Sequence, residues 1–341
     1  MRVERIDTKH LPDWQIFVDS NSGANPYQHA GWFNVLRDCF AVEPYYLRAV
    51  DEQGNTQGIM PMYASRSIFA GKHLSTMEGG ALSIDTPTNE LFYAEAEKVS
   101  DSLGVRYFLA RGGSPTTSLV DYTVPTVRSL IRVDDVPDRV WNRLSSNTRR
   151  KVRKARKNGF SVEKHTDGME DFYRIYARRV RDLGTPTMGS GMFHAMQKYL
   201  KHHLRLYAVL YNERIVGGML LVSSKEMITS LYVAVHSDVL HLYPTYLLYW
   251  SVVEEAFRSP AIWLDLGRSV PGSGNHHFKK QWSEDERYVP YHYCFSKQGK
   301  ESRKIKQTHT ESSLKQRLWK RLPLPLANFI GPLFRRQLPF G

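Results

Sequence analysis

Two stretches of this sequence are written in the same order. In the first, 12–19 and 28–40 space their apolar residues as helices do, and Pro12 suits a first turn. Apolar runs at 45–51 and 57–64 flank Glu52-Gln53-Gly54-Asn55, a hairpin signal. An amphipathic helix over 87–103 closes at Gly104, and 105–110 and 129–133 read as strands. In the second stretch 147–157 and 171–183 are the helices, and 206–211 and 215–222 flank Asn212-Glu213-Arg214. The run 227–235 continues the sheet, a helix opens at Pro244, and 261–266 and 288–296 finish as strands. The glycines Gly58 and Gly217 of the two hairpins are 159 residues apart, and the strands starting at Val105 and Ala261 are 156 apart. Like elements at a near-constant offset point to a duplicated unit. The expected class is α/β (α+β): two tandem units over 1–140 and 141–298, each a mixed, mostly antiparallel sheet flanked by helices. A basic amphipathic tail, 299–341, follows.

Composition removes several alternatives. With 41% hydrophobic and 12% aromatic residues the chain has the material for two cores, which disordered chains lack. Cys39 and Cys294 are the only cysteines, too few for a disulfide framework or a cysteine-based zinc cluster. The formal net charge is +13, of which 149–157 (RRKVRKARK) carries +7 and 297–341 carries +9, so the rest stands near −3. A protein that wraps nucleic acid shows a broader basic face, so that function rests on net charge alone. No segment approaches the ~20 apolar residues of a membrane span, and the N-terminus has no apolar signal core. The expected location is cytoplasmic.

The repeated unit resembles the GNAT acyltransferase layout in both halves, and two such units in tandem are similar to the FemAB family of peptidoglycan-bridge aminoacyltransferases and their relatives. The resemblance is carried by SSNTRRKVRKARKNGFSVE (145–163), YNERIVGGMLL (211–221), HLYPTYLLYWSVVEEA (241–256) and LDLGRSVPGSGNHHFKKQW (264–282). NPYQHAGWFNVL, the stretch from Gly58 to Pro87, and LWKRLPLPLANFIGPLFRR look closest to the branch associated with exopolysaccharide and exosortase (PEP-CTERM) systems. The resemblance implies transfer of an acyl or aminoacyl group to an amine of a cell-envelope glycan or peptidoglycan precursor, phosphorylated or polyprenyl-linked, held in a cleft between the domains. A non-catalytic scaffold of the same fold, binding such a precursor or an assembly partner, is the alternative.

The most specific run is Gly274-x-x-x-Phe278-Lys279-Lys280-x-Trp282. The resemblance puts Gly274, Phe278, Lys279 and Trp282 near acceptor and donor. Lys279 is the first choice for charge stabilisation, with Arg268, Lys280 and His277 adding positive charge. Asp265 is a candidate base for the attacking amine, and the loop 271–274 could turn backbone N–H groups toward an anion. The plain alternative is a solvated loop whose lysines face water. Tyr232 and Tyr246 read as acceptor-orienting or packing residues. Glu78-Gly79-Gly80 resembles a family turn lining the cleft, or is an ordinary turn needing positive φ. Arg150, Arg153 and Lys154 read either as a solvated face or as a trap for a pyrophosphate-linked acceptor.

No metal is expected, because His276-His277 and His202-His203 lack ligand spacing. The segment 236–243 lacks the Gly-rich loop usual for coenzyme A, so no bound cofactor is expected and the donor stays open between acyl-CoA and aminoacyl-tRNA. The tRNA reading is not favoured, since members that use it often carry a coiled-coil insertion that this half lacks. The tail alternates Leu, Trp and Phe with Lys and Arg, which suits either an anionic membrane surface, making the protein peripheral on the inner face, or packing against the protein. Pro323, Pro325 and Pro332 argue against one continuous helix.

Overall fold

The computed structural model describes residues 1–40, 42–67, 71–113, 115, 120–134, 136–165, 167–296 and 314–335. In chain order the elements are β1 (Arg2–Arg5), α1 (Leu11–Ser20), α2 (Gly31–Phe40), β2 (Glu43–Pro44), β3 (Leu47–Val50), β4 (Thr56–Met60), β5 (Met62–Ser67), β6 (Gly71–Thr76), β7 (Leu82–Ser83), α3 (Thr86–Ser102), β8 (Tyr107–Arg111) and β9 (Tyr122–Val124). They continue with β10 (Val127–Arg132), α4 (Pro137–Arg143), α5 (Ser146–Lys157), β11 (Phe160–Lys164), α6 (Met169–Asp182), α7 (Ser190–Leu200), β12 (Leu204–Tyr211), β13 (Arg214–Ser223), β14 (Met227–Val235) and α8 (Pro244–Ala256). The last are β15 (Trp263–Ser269), α9 (Gly274–Lys280), β16 (Asp285–Tyr288), β17 (Tyr291–Phe295), α10 (Leu314–Lys320) and α11 (Leu324–Arg335).

Two compact units result. The first is built from Met1–Thr126 and the segment returning at Tyr288; the second is Val127–Arg287 with the C-terminal helices as far as Pro332. The first unit holds a four-stranded sheet, β1-β3-β4-β7, and a six-stranded one, β2-β5-β6-β8-β17-β9. The second holds a single seven-stranded sheet, β11-β12-β13-β14-β15-β10-β16. Each unit contains a parallel pair, β6 with β8 in the first and β14 with β15 in the second. Each pair is joined through a helix, α3 or α8, as a parallel connection requires. The shared parallel step makes the internal repeat concrete.

The boundaries expected at 140 and 298 are crossed by two strands. Strand β10 precedes residue 140, yet lies in the second sheet, antiparallel to β15. Strand β17 precedes residue 298, yet lies in the first sheet between β8 and β9. Each sheet therefore takes one inner strand from the other half of the sequence. Local hydrophobic pattern marks such a segment as a strand but not which sheet it joins.

Turn chemistry fixes the hairpin of the second unit. Tyr211 pairs with Arg214 across Asn212 and Glu213, whose φ values of 49° and 62° give the type I′ twist that matches the strands. Helix α5 is capped by Ser145, whose Oγ accepts from Thr148 N at 3.1 Å, and it buries only Thr148, Val152 and Ala155. That narrow stripe leaves its basic residues outward. Helix α8 is apolar nearly all round, and it buries Leu247, Leu248, Tyr249, Trp250, Val252 and Val253 as the central crossover helix. Trp282, fully buried, closes the same core.

The tail forms two helices broken between Lys320 and Leu324. Pro325 falls in the first turn of α11 and Pro332 near its end. Ala327 and Gly331 are buried, and Arg181 Nη1 donates to the Leu322 carbonyl at 2.8 Å, so one face packs on the second unit. The basic stretch 297–313 and Arg336 lie outside the described residues. Among the described residues no helix is long and apolar enough to cross a membrane.

Candidate functional site

The strand expected over 261–266 runs on to Ser269, because Val127 and Arg128 of β10 pair with Ser269 and Arg268 and extend β15. Only 270–273 is loop, and α9 begins at Gly274 with Ser273 as its cap. The loop's N–H groups are largely used internally: Gly272 N donates to His276 Nδ1, Ser273 N to Val270 O, and His276 N to Ser273 Oγ. The anion cradle expected at 271–274 is therefore not what these groups form.

Helix α9 turns Lys279 inward. Its side chain is buried, 6% exposed, and Nζ donates to the carbonyls of Gly267 and Arg268, each at 2.9 Å. The ordinary fate of two adjacent lysines, both facing water, holds only for Lys280, which is exposed and paired with Glu286 at 3.2 Å. Burial pushes the Lys279 ammonium down to about 8; the neighbouring Asp265 opposes the shift, while Arg268 and Arg128 add to it. Two of its three N–H donors go to the carbonyls, and among the described residues no acceptor takes the third. This is a buried ammonium with one N–H donor uncommitted among the described residues.

Gly267 makes the arrangement possible. Its φ of +82° favours glycine, and a Cβ there would lie 3.1 Å from Ser230 O and 3.4 Å from Lys279 Nζ. Gly267→Ala is expected to cost about 1–3 kcal/mol and to shift the ammonium. Chemical denaturation checks the first effect; a stability equal to the wild type would remove the strain from this account.

Asp265 is not placed to act as the base for the attacking amine. It is fully buried: Oδ2 accepts from Arg128 Nη1 and, at 3.3 Å, from Thr229 Oγ1, while Oδ1 accepts from Gly267 N at 2.8 Å. Its oxygens fasten β10, β14 and β15 together and hold the Gly267 peptide whose carbonyl receives Lys279. Arg128 and Thr229 went unnoticed in the sequence, because a single Arg or Thr in a strand carries no local signal.

The other candidates divide into those near Lys279 and those elsewhere. Phe278 packs edge-on to Tyr246 and Tyr249, with ring centroids 5.2 and 4.9 Å away, and Trp282 stacks on Tyr249 at 5.6 Å with the planes 30° apart. Tyr246 Oη accepts from Lys151 Nζ at 2.9 Å, and Lys154 stands 5.3 Å from the Tyr243 ring. One side of the basic helix thus leans on the aromatic start of α8. Arg153 lies over Trp141 at 5.5 Å, and Arg150 donates to Asn147 at 2.9 Å. His277 and Gly274 are exposed and Arg268 is half-buried. Tyr232 is on another face of the unit, against Tyr176 and Phe193, with its hydroxyl directed to Met188 Sδ.

Glu78, Gly79 and Gly80 belong to the first unit. Both glycines have positive φ, Gly79 N donates to Arg111 O, and buried Glu78 accepts from Tyr291 Oη. Among the described residues no three His, Cys, Asp or Glu side chains converge as metal ligands. His276 instead bonds Glu286 at 2.6 Å. A groove of about 390 Å³ between β11 and α8, lined by Arg156, Lys164 and Arg258 among others, includes none of the residues around Lys279.

Residues 142–280 match the family described as acetyltransferase (GNAT) domain. The match ends just past Lys279 and leaves out both Arg128 and Trp282. Across the whole chain the fold is similar to the crystal structure of FemX, with a TM-score of 0.67 at 15% identity, covering 89% of this chain and 99% of that one. It is similar to L-PGS from Bacillus licheniformis (TM-score 0.55, 11% identity, 97% and 98% covered) and to a tandem GNAT protein from the clavulanic acid biosynthesis pathway (0.51, 10%, 85% and 98%). No curated protein matches the chain. At these identities the structures speak for the fold alone, and they agree with the FemAB-like resemblance: residues 142–280 match a GNAT acetyltransferase domain, within a chain whose fold is similar to that of FemX.

Proposed function

We propose that the chain is an acyltransferase that moves an acyl or aminoacyl group from an activated donor, acyl-CoA or aminoacyl-tRNA, onto an amine of a phosphorylated or polyprenyl-linked cell-envelope precursor. The setting that goes with this reading is the exopolysaccharide branch of the FemAB-like proteins, which the sequence resembles. The observation that carries the reading is Lys279, a buried ammonium with one donor uncommitted among the described residues, inside the GNAT domain. In the reaction the amine nitrogen attacks the acyl carbonyl carbon, a C–N bond forms, and the carbonyl oxygen becomes an oxyanion facing the ammonium. Collapse breaks the donor's C–S or C–O bond, and the proton lost by the amine ends on the departing sulfur or oxygen, which leaves as thiol or alcohol. A preorganised cation in a site shielded from water is the kind of group that lowers such a barrier. Arg150, Arg153 and Lys154 would meet the precursor's phosphates.

Because burial brings Lys279 down to about 8, the charged form and the transfer rate fall above that pH. Lys279→Arg, which keeps its charge, is expected to lose that alkaline decline even if its rate is lower. The measurement is the rate of label transfer from acetyl-CoA or aminoacyl-tRNA to an amino-sugar precursor across pH. The same alkaline decline in both proteins removes Lys279 from the role, and turnover with neither donor leaves the scaffold reading.

A further inference from the structure

Helix α11 is apolar on two faces, and only one of them is covered. Ala327, 1% exposed, and Gly331, against Thr187, turn inward. On the outer side Leu326, Phe329 and Leu333 follow the spacing i, i+3, i+7 and are 45%, 77% and 54% exposed, and Leu318 of α10 is 58% exposed. A surface helix ordinarily presents polar residues outward. Scattered exposed apolar residues need no explanation, but a stripe along one helix does.

The charge beside the stripe selects what can cover it. Arg317, Lys320 and Arg321 are exposed, Arg335 is partly so, and no acidic residue occurs from 314 to 335. A second copy of the chain would bring this patch against itself across a two-fold axis and set cation against cation. We infer that α10 and α11 dock on an anionic lipid surface. Leu318, Leu326, Phe329 and Leu333 enter the acyl boundary, while Arg317, Lys320 and Arg321 lie at the headgroups. None of these side chains belongs to the surroundings of Lys279, so docking can be read without any transfer assay.

The experiment is flotation of the full chain with vesicles of phosphatidylcholine alone or mixed with about one-third phosphatidylglycerol, at low and high salt. The wild type is expected to float with the mixed vesicles only, and less at high salt. The exchange Arg317→Gln/Lys320→Gln/Arg321→Gln should weaken binding about a hundredfold, on the order of fivefold per charge. Leu326→Ser/Phe329→Ser should weaken it by at least about tenfold. Unchanged melting of both variants shows that the fold is intact, as expected for exposed positions. Equal flotation with both vesicles, no flotation, undiminished binding by the variants, or a dimer that Phe329→Ser dissolves would each overturn the inference.

Discussion

Replacing Asp265 with alanine is expected to destabilise the second unit by about 3–5 kcal/mol, the usual cost of removing one partner of a buried ion pair. The carboxylate is fully buried and holds Arg128, Thr229 and the Gly267 N–H at once. Its loss leaves the 7% exposed Arg128 without its carboxylate and removes a link between three strands. Asp265→Asn keeps the volume and the Gly267 bond and should cost less. Converting both partners, as in Asp265→Leu with Arg128→Met, should recover much of the loss, since no buried charge is then stranded. Urea denaturation of the set measures this. A cost below about 1 kcal/mol for Asp265→Ala would mean that the pair is hydrated and does not fasten the sheet.

The second large effect is on chemistry. Lys279→Met nearly preserves side-chain volume while removing the charge, and is expected to lower kcat by about 10²–10³, the size of loss seen when one preorganised oxyanion donor is removed. KM should change little, because the interaction is made only in the transition state. A rise in KM with unchanged kcat would instead make Lys279 a binding residue for the ground state.

Much of the fold was legible from local pattern. The Asn212-Glu213 turn, the Pro244 helix and the paired offsets of Gly58 and Gly217 follow from backbone preferences and periodicity. The exchange of β10 and β17 was not, because a strand's partners are set by contacts distant in sequence. The site was half legible for the same reason. The aromatic and basic residues of 276–282 drew attention to Lys279, but periodicity sends lysine to water, and only the turn of α9 buries it. Asp265 read as a base because its restraint, Arg128, lies 137 residues upstream. Helix α7 carries no local start signal, since a glycine, Gly189, takes its N-cap position without a side-chain cap.

The account turns on one ammonium group, and mass spectrometry of envelope glycan precursors tests it most directly. Precursors would be compared between cells lacking the protein, cells making it, and cells making Lys279→Met at equal abundance. The expected result is an acyl or aminoacyl mass increment on an amine that only the wild type adds. Spectra that are the same in all three, or an increment undiminished in Lys279→Met, would contradict it.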